Sequence, residues 1–180
     1  MEAEFPRLGF MRDISPDAPI CRWRYRDLEV DLMPTDPAIL GFANRWYPLA
    51  VSSAQMVQLP NGIAIRLITA PLFVATKFEA FTDRGKATRW AATTWKTSSM
   101  PSTADPSCRM KFGGAPEELR IYLAVRCAGL LALPHFMNYL PGLVAQDEAL
   151  AERVTTVATR LQHIAALLGP DEAARLILAD

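Results

Sequence analysis

The chain has 180 residues, 51% of them hydrophobic, and its 19 Lys plus Arg balance 19 Asp plus Glu to a formal net charge of zero. That length allows one domain, or one with an appendage, and a sizeable core. The charge balance gives no global argument for a nucleic-acid coat and leaves room for a local basic patch, while three scattered cysteines with two histidines exclude a disulfide framework, a Cys-rich zinc site and a His-rich metal site. No charged-then-apolar leader follows Met1 and no membrane-length apolar span occurs, so the expectation is a cytoplasmic protein without a membrane segment.

Residues 1–19 are punctuated by Pro6, Pro16 and Pro19 and read as irregular. Cys21 to Tyr25 alternates as a strand, and an Arg26-Asp27 corner leads into Leu28 to Leu32, which predicts an antiparallel hairpin. On its second strand Asp27, Glu29 and Asp31 share one face, and Leu28, Val30 and Leu32 the other. Thr35 or Asp36 before Pro37 starts a short helix over Ala38 to Phe42. Ala54 to Leu59 and Ile63 to Ile68 form a second hairpin around Pro60-Asn61-Gly62. Thr69 caps a helix that runs to about Thr82 with Val74, Phe78 and Phe81 as its buried stripe.

From Ala87 to Gly114 the chain is crowded with Thr, Ser, Pro, Trp, Lys and Arg and holds no lasting period. A structureless loop of that length is unusual inside a compact domain. Beyond it, Pro116 to Leu133 reads as a helix with Leu119, Tyr122, Leu123, Arg126 and Leu130 on one side. Pro134 and Pro141 bracket a short helix. Ala145 to Leu168 is amphipathic on Leu150, Val154, Val157, Leu161, Ile164 and Leu168, and Asp171 to Leu178 makes a last short helix.

Two residues are candidates for chemistry. Asp31, near a strand end, suits a Mg²⁺ ligand in phosphoryl transfer, while spacing alone favours a solvated strand carboxylate paired with Arg22 or Arg24. Lys77 sits among Phe73, Val74, Ala80 and Phe81 at helical spacing, so its ammonium either meets an anion such as a triphosphate or snorkels to water. Arg84, Lys86, Arg89, Lys96, Arg109 and Lys111 make a basic stretch, as an RNA-binding flap or a solvated segment. His135 reads as a partly buried histidine.

Together, Leu8-Gly9-Phe10, Ala18 to Arg24, Val30 to Asp36, Ile39 to Phe42, Asn44 to Tyr47, and Thr69 to Phe81 with its Ala75-Thr76-Lys77-Phe78-Glu79-Ala80-Phe81 run resemble the AbiEii/AbiGii-type nucleotidyltransferases. These are toxin-like proteins of the DNA polymerase β superfamily. The resemblance covers residues 8–86 closely and the helical C-terminus loosely. It implies an α+β fold: a partial nucleotidyltransferase-type mixed sheet with hairpins over 1–86, and a helical part over 115–180. It implies transfer of a nucleoside monophosphate from an NTP, with Mg²⁺ and NTP as cofactors, tRNA ends among the acceptors and an antitoxin protein as partner. Asp31 matches the family's third metal carboxylate, and Lys77 the lysine expected to contact nucleotide phosphates.

Two departures accompany the match. The family's Gly turn and Asp-x-Asp metal strand are absent from these 180 residues, which the resemblance reads as N-terminal truncation. The family's His-Asp-Leu-Glu-Asp-Ile-Ile run is replaced by Thr93-Thr94-Trp95-Lys96-Thr97-Ser98-Ser99. The fixed codon bases of those residues, read one base upstream, permit the family's run. The expectation is therefore an out-of-frame translation over about 87–114, with the frame regained at Ala115-Pro116-Glu117-Glu118. The encoding DNA tests it directly. The functions that follow are a nucleotidyltransferase-like protein inactive as this fragment, or a noncatalytic remnant or protein-interaction module. A small RNA-binding module, resting on the basic stretch, is a third.

Overall fold

A computed structural model describes residues 4–40, 44–82, 108–144 and 148–169. The fold is α+β, with two small antiparallel sheets followed by a helical C-terminal part. The chain forms two compact units, Met1–Tyr47 and Pro48–Asp180.

The first unit is built on a three-stranded sheet in the order β1 (Met11–Arg12), β2 (Arg22–Tyr25), β3 (Leu28–Asp31). The predicted hairpin is β2–β3, with Trp23 facing Val30 and Arg22 facing Asp31. Its corner is tight: Arg26 takes a φ of 53°, and its guanidinium lies 5.3 Å over the Tyr25 ring. The region read as irregular contributes β1 and a 3₁₀ turn over Pro6–Leu8. Two residues of strand carry no readable alternation, so pairing with β2, not local pattern, defines β1. Gly9 ends the turn at a φ of 86°, and a Cβ there would meet the Tyr25 ring at 3.4 Å. Phe5, Phe10, Trp23 and Tyr25 form a small aromatic core with ring centroids 4.8–5.2 Å apart. Asp36 caps the short helix α1 (Pro37–Leu40), its Oδ1 accepting the Ala38 N–H at 2.9 Å.

The second unit starts at Pro48, within α2 (Tyr47–Ser52), a helix that the sequence pattern did not predict. Pro48 falls in its first turn, where a missing N–H costs nothing. The second hairpin is β4 (Gln55–Gln58) with β5 (Ala64–Leu67). Gly62 supplies the turn's φ of 82°, and Asn61 Oδ1 accepts the Ile63 N–H. Met56, Val57, Ile63 and Leu67 on this hairpin are exposed. The mixed sheet that the resemblance implies is not found among the described residues. Each strand joins its neighbour through a short connection, which permits antiparallel pairing alone.

The helices of the second unit are α3 (Ala70–Thr82), α4 (Cys108–Gly113), α5 (Glu117–Ala132), α6 (Phe136–Tyr139) and α7 (Leu150–Ala165). Thr69 supplies the carbonyl for the first bond of α3, from the Phe73 N–H at 2.9 Å. Val74 and Phe78 are buried as the 3.6-residue period requires. On α5 the buried stripe is Leu119, Leu123, Ala124, Cys127 and Leu130, while Tyr122 and Arg126 lie at its edge. The core forms where α5 packs on α7 and α3, with α4 between α3 and α7. Val157, Leu161 and Ile164 carry the α7 side of it.

Helix α4 is a correction to the irregular segment over 87–114: residues 108–113 are helical, and Phe112 is 1% exposed. Residues 87–107 of that segment, and the predicted last helix over 171–178, lie outside the described residues. His135 differs too. It is exposed at a φ of 65°, where its carbonyl starts α6 by accepting the Asn138 N–H at 2.8 Å.

Candidate functional site

Asp31 ends β3 on the charged face of the first sheet. The pleat places Arg22 and Arg24 of β2 opposite Asp31 and Glu29 on that face, with Trp23 and Val30 on the other. Arg22 binds Asp31 in a fork, Nε donating to Oδ1 at 2.9 Å and Nη2 to Oδ2 at 3.1 Å. Its Nη1 also reaches Glu29 Oε2 at 3.0 Å. Arg24 bridges Glu29 Oε1 at 3.2 Å and Asp13 Oδ2 at 2.8 Å. The five side chains form one ladder, Asp31–Arg22–Glu29–Arg24–Asp13, across β3, β2 and the residue that follows β1.

The electrostatics follow from that geometry. Asp31 raises the Arg22 guanidinium above its ordinary value, and Asp13 does the same for Arg24, so both stay charged at any working pH. The Asp13 carboxyl is drawn down to about 2, first by the Ser15 hydroxyl and backbone N–H and then by Arg24. A carboxyl with a depressed folded-state value adds stability above its ordinary value, near 3.9, and loses it as pH falls through the folded value. The first sheet is therefore expected to loosen between about pH 4 and pH 2. Near-ultraviolet circular dichroism on acid titration should show this transition in the wild type and a flatter one in Asp13→Asn.

Lys77 belongs to the second unit and Asp31 to the first. Lys77 is half-buried on α3 between buried Val74, Thr76 and Phe78, and its Nζ lies 5.4 Å over the Phe73 ring. This is a snorkelling lysine whose stem covers an apolar stripe, with a cation–π contact at its head. A cavity of about 860 Å³ opens beside the start of α3, lined by Leu49, Val57, Leu67, Pro71 and Leu119 among others. Neither Lys77 nor Asp31 lines it.

The Mg²⁺ that the resemblance implies needs several hard oxygens converging on one point. Among the described residues no three His, Cys, Asp or Glu side chains form such a group. Asp31 presents both oxygens to Arg22, and its neighbours Glu29 and Asp13 are likewise held by arginines. The donor set does not fit a divalent metal. The ion-pair ladder was legible in the alternation of Arg22, Arg24, Glu29 and Asp31. The place of Asp13 in it was not, because it depends on β1 joining the sheet.

Elsewhere the polar groups serve packing. Tyr122 Oη donates to Glu79 Oε2 at 2.7 Å between α5 and α3, and burial with that carboxylate pushes its hydroxyl up to about 12. Burial alone pushes the Cys127 thiol up to about 12, which makes it an inert core residue. No single helix among the described residues is long and apolar enough to cross a membrane. No protein-family model, curated protein or solved structure matches the chain.

Proposed function

We propose that this chain is a nucleotidyltransferase-like protein of the AbiEii/AbiGii type that does not itself transfer nucleotides. The ordered motifs from Leu8 to Phe81 support the family reading. The observation that carries the noncatalytic part is the fork between Arg22 and Asp31, which occupies both oxygens of the carboxylate assigned to the metal. A phosphoryl-transfer centre depends on metal ions to neutralise charge in the transition state, and an arginine forked onto the carboxylate competes with a metal for the same oxygens. In this reading NTP, Mg²⁺ and tRNA are ligands of the catalytic relatives, and an antitoxin-like protein is the partner left to this chain. Incubation of the purified protein with labelled NTPs, Mg²⁺ and total tRNA is expected to leave the tRNA unlabelled. Labelling that vanishes in Asp31→Ala overturns the proposal.

A further inference from the structure

We propose that β4 is a dimerisation edge, to which a second copy of this chain adds its own β4 as an antiparallel strand. The proposal goes beyond the function above and does not depend on it. Its starting point is the backbone of the second hairpin. Leu59 donates its N–H to the Ile63 carbonyl at 2.8 Å, beside the turn. Backbone groups alternate in direction along an antiparallel strand, so Val57 and Gln55 also bond inward, to Ile65 and Leu67. Met56 and Gln58 therefore aim their N–H and C=O groups outward. Among the described residues nothing pairs with these groups. Every residue of β4 is exposed, Met56 to 65%. A hairpin of two strands is marginal in water, and an open edge of this kind is a template for another strand.

The strand that fits this edge is β4 itself. With Val57 of one copy opposite Val57 of the other, Met56 faces Gln58 of the second copy, and Gln58 faces Met56. Each of these pairs exchanges two backbone bonds, so four bonds satisfy every outward group of both strands. Val57 then meets its own copy in a close pair, with Gln55 beside Leu59 on the same face. Registers centred on Met56 or Gln58 instead reach past the strand, to Ala54 or to Pro60, which has no N–H.

Charge selects this edge over the others. From Ala54 to Ile68 the one charged residue is Arg66, which lies on β5. A charge on an edge strand discourages further pairing, and β4 carries none. On β3 of the first unit, self-pairing about Val30 would set Glu29 against Asp31 of the second copy. Joining β4 to β4 is two-fold and consumes the edge, so the assembly closes at two copies. A four-residue edge buries less than the roughly 800 Å² a side of a standard interface, which gives a weak dimer with a Kd of about 100 µM.

Sedimentation equilibrium of the full chain should show monomers at about 10 µM and mostly dimers at about 1 mM. Hydrogen exchange over the same range locates the contact. The Met56 and Gln58 amides should slow about fivefold, and those of Ala64 and Arg66 should not change. Met56→Lys charges the edge and should weaken the dimer at least about tenfold. Gln58→Pro removes an outward N–H but no bond inside the hairpin, and should weaken it as much. Ala64→Lys, on the other edge, should leave the dimer within about twofold of wild type. A chain that stays monomeric at about 1 mM overturns the proposal, and the edge is then open to a foreign strand or to none. A dimer that survives both Met56→Lys and Gln58→Pro overturns it as well, because another surface holds the copies together. Growth beyond the dimer, or slowed exchange at Ala64 and Arg66, overturns it by bringing β5 into the contact.

Discussion

Phe112→Ala is expected to lower the stability of the second unit by about 3–5 kcal/mol, the usual cost of emptying a buried aromatic site. Phe112 is 1% exposed, on a six-residue helix packed against α3 and α7. So short a helix has almost no stability of its own and is held by the side chain it buries. Removing the ring leaves a cavity and releases the helix together. Against a whole-domain stability of about 5–15 kcal/mol, that loss is a large share of the total. Urea unfolding checks this through a lowered midpoint. Phe112→Leu should lose about 1.5 kcal/mol or less, and Met56→Ala, at an exposed hairpin position, should stay within about 0.5 kcal/mol of wild type. A loss below about 1 kcal/mol for Phe112→Ala would show that α4 is not part of the core.

The second large effect is expected at Leu161→Ala, with a loss of about 2–5 kcal/mol. Leu161 is fully buried on α7, the helix that packs most extensively on α5. Its partners on the buried stripe are Val157 and Ile164, one turn to either side. Val154, half-buried on the same helix, should cost clearly less when cut to alanine, because its site is already partly open to water. Thermal unfolding of the two variants side by side tests the order. A smaller loss at 161 than at 154 would mean that α7 is rotated about its axis from the arrangement described.

These two positions show what the sequence makes visible. Leu161 was legible because α7 repeats its apolar residues at 3.6-residue spacing over four turns. Phe112 was hidden, because one aromatic among basic and hydroxyl residues makes no period, and its burial comes from helices distant in sequence. The hairpins were legible from alternation and turn chemistry at Arg26-Asp27 and Pro60-Asn61-Gly62. The two-residue strand β1 was not, and with it went the role of Asp13. Lys77 was correctly bounded as a cation beside an apolar stripe, but the Phe73 ring beneath it depends on the side chain's own conformation. At Asp31 the residues themselves left two readings open, a metal and an arginine. The structure shows the arginine pairing, and sequence spacing alone cannot show whether an arginine four strand positions from the corner closes on its acid.

On the proposed function the Asp31 carboxylate is engaged by Arg22 and no nucleotide transfer proceeds from it. The most direct measurement is incorporation of labelled nucleotide into tRNA by the purified wild type in Mg²⁺, beside Asp31→Ala. Background incorporation is expected from both. Incorporation by the wild type that Asp31→Ala abolishes would contradict it.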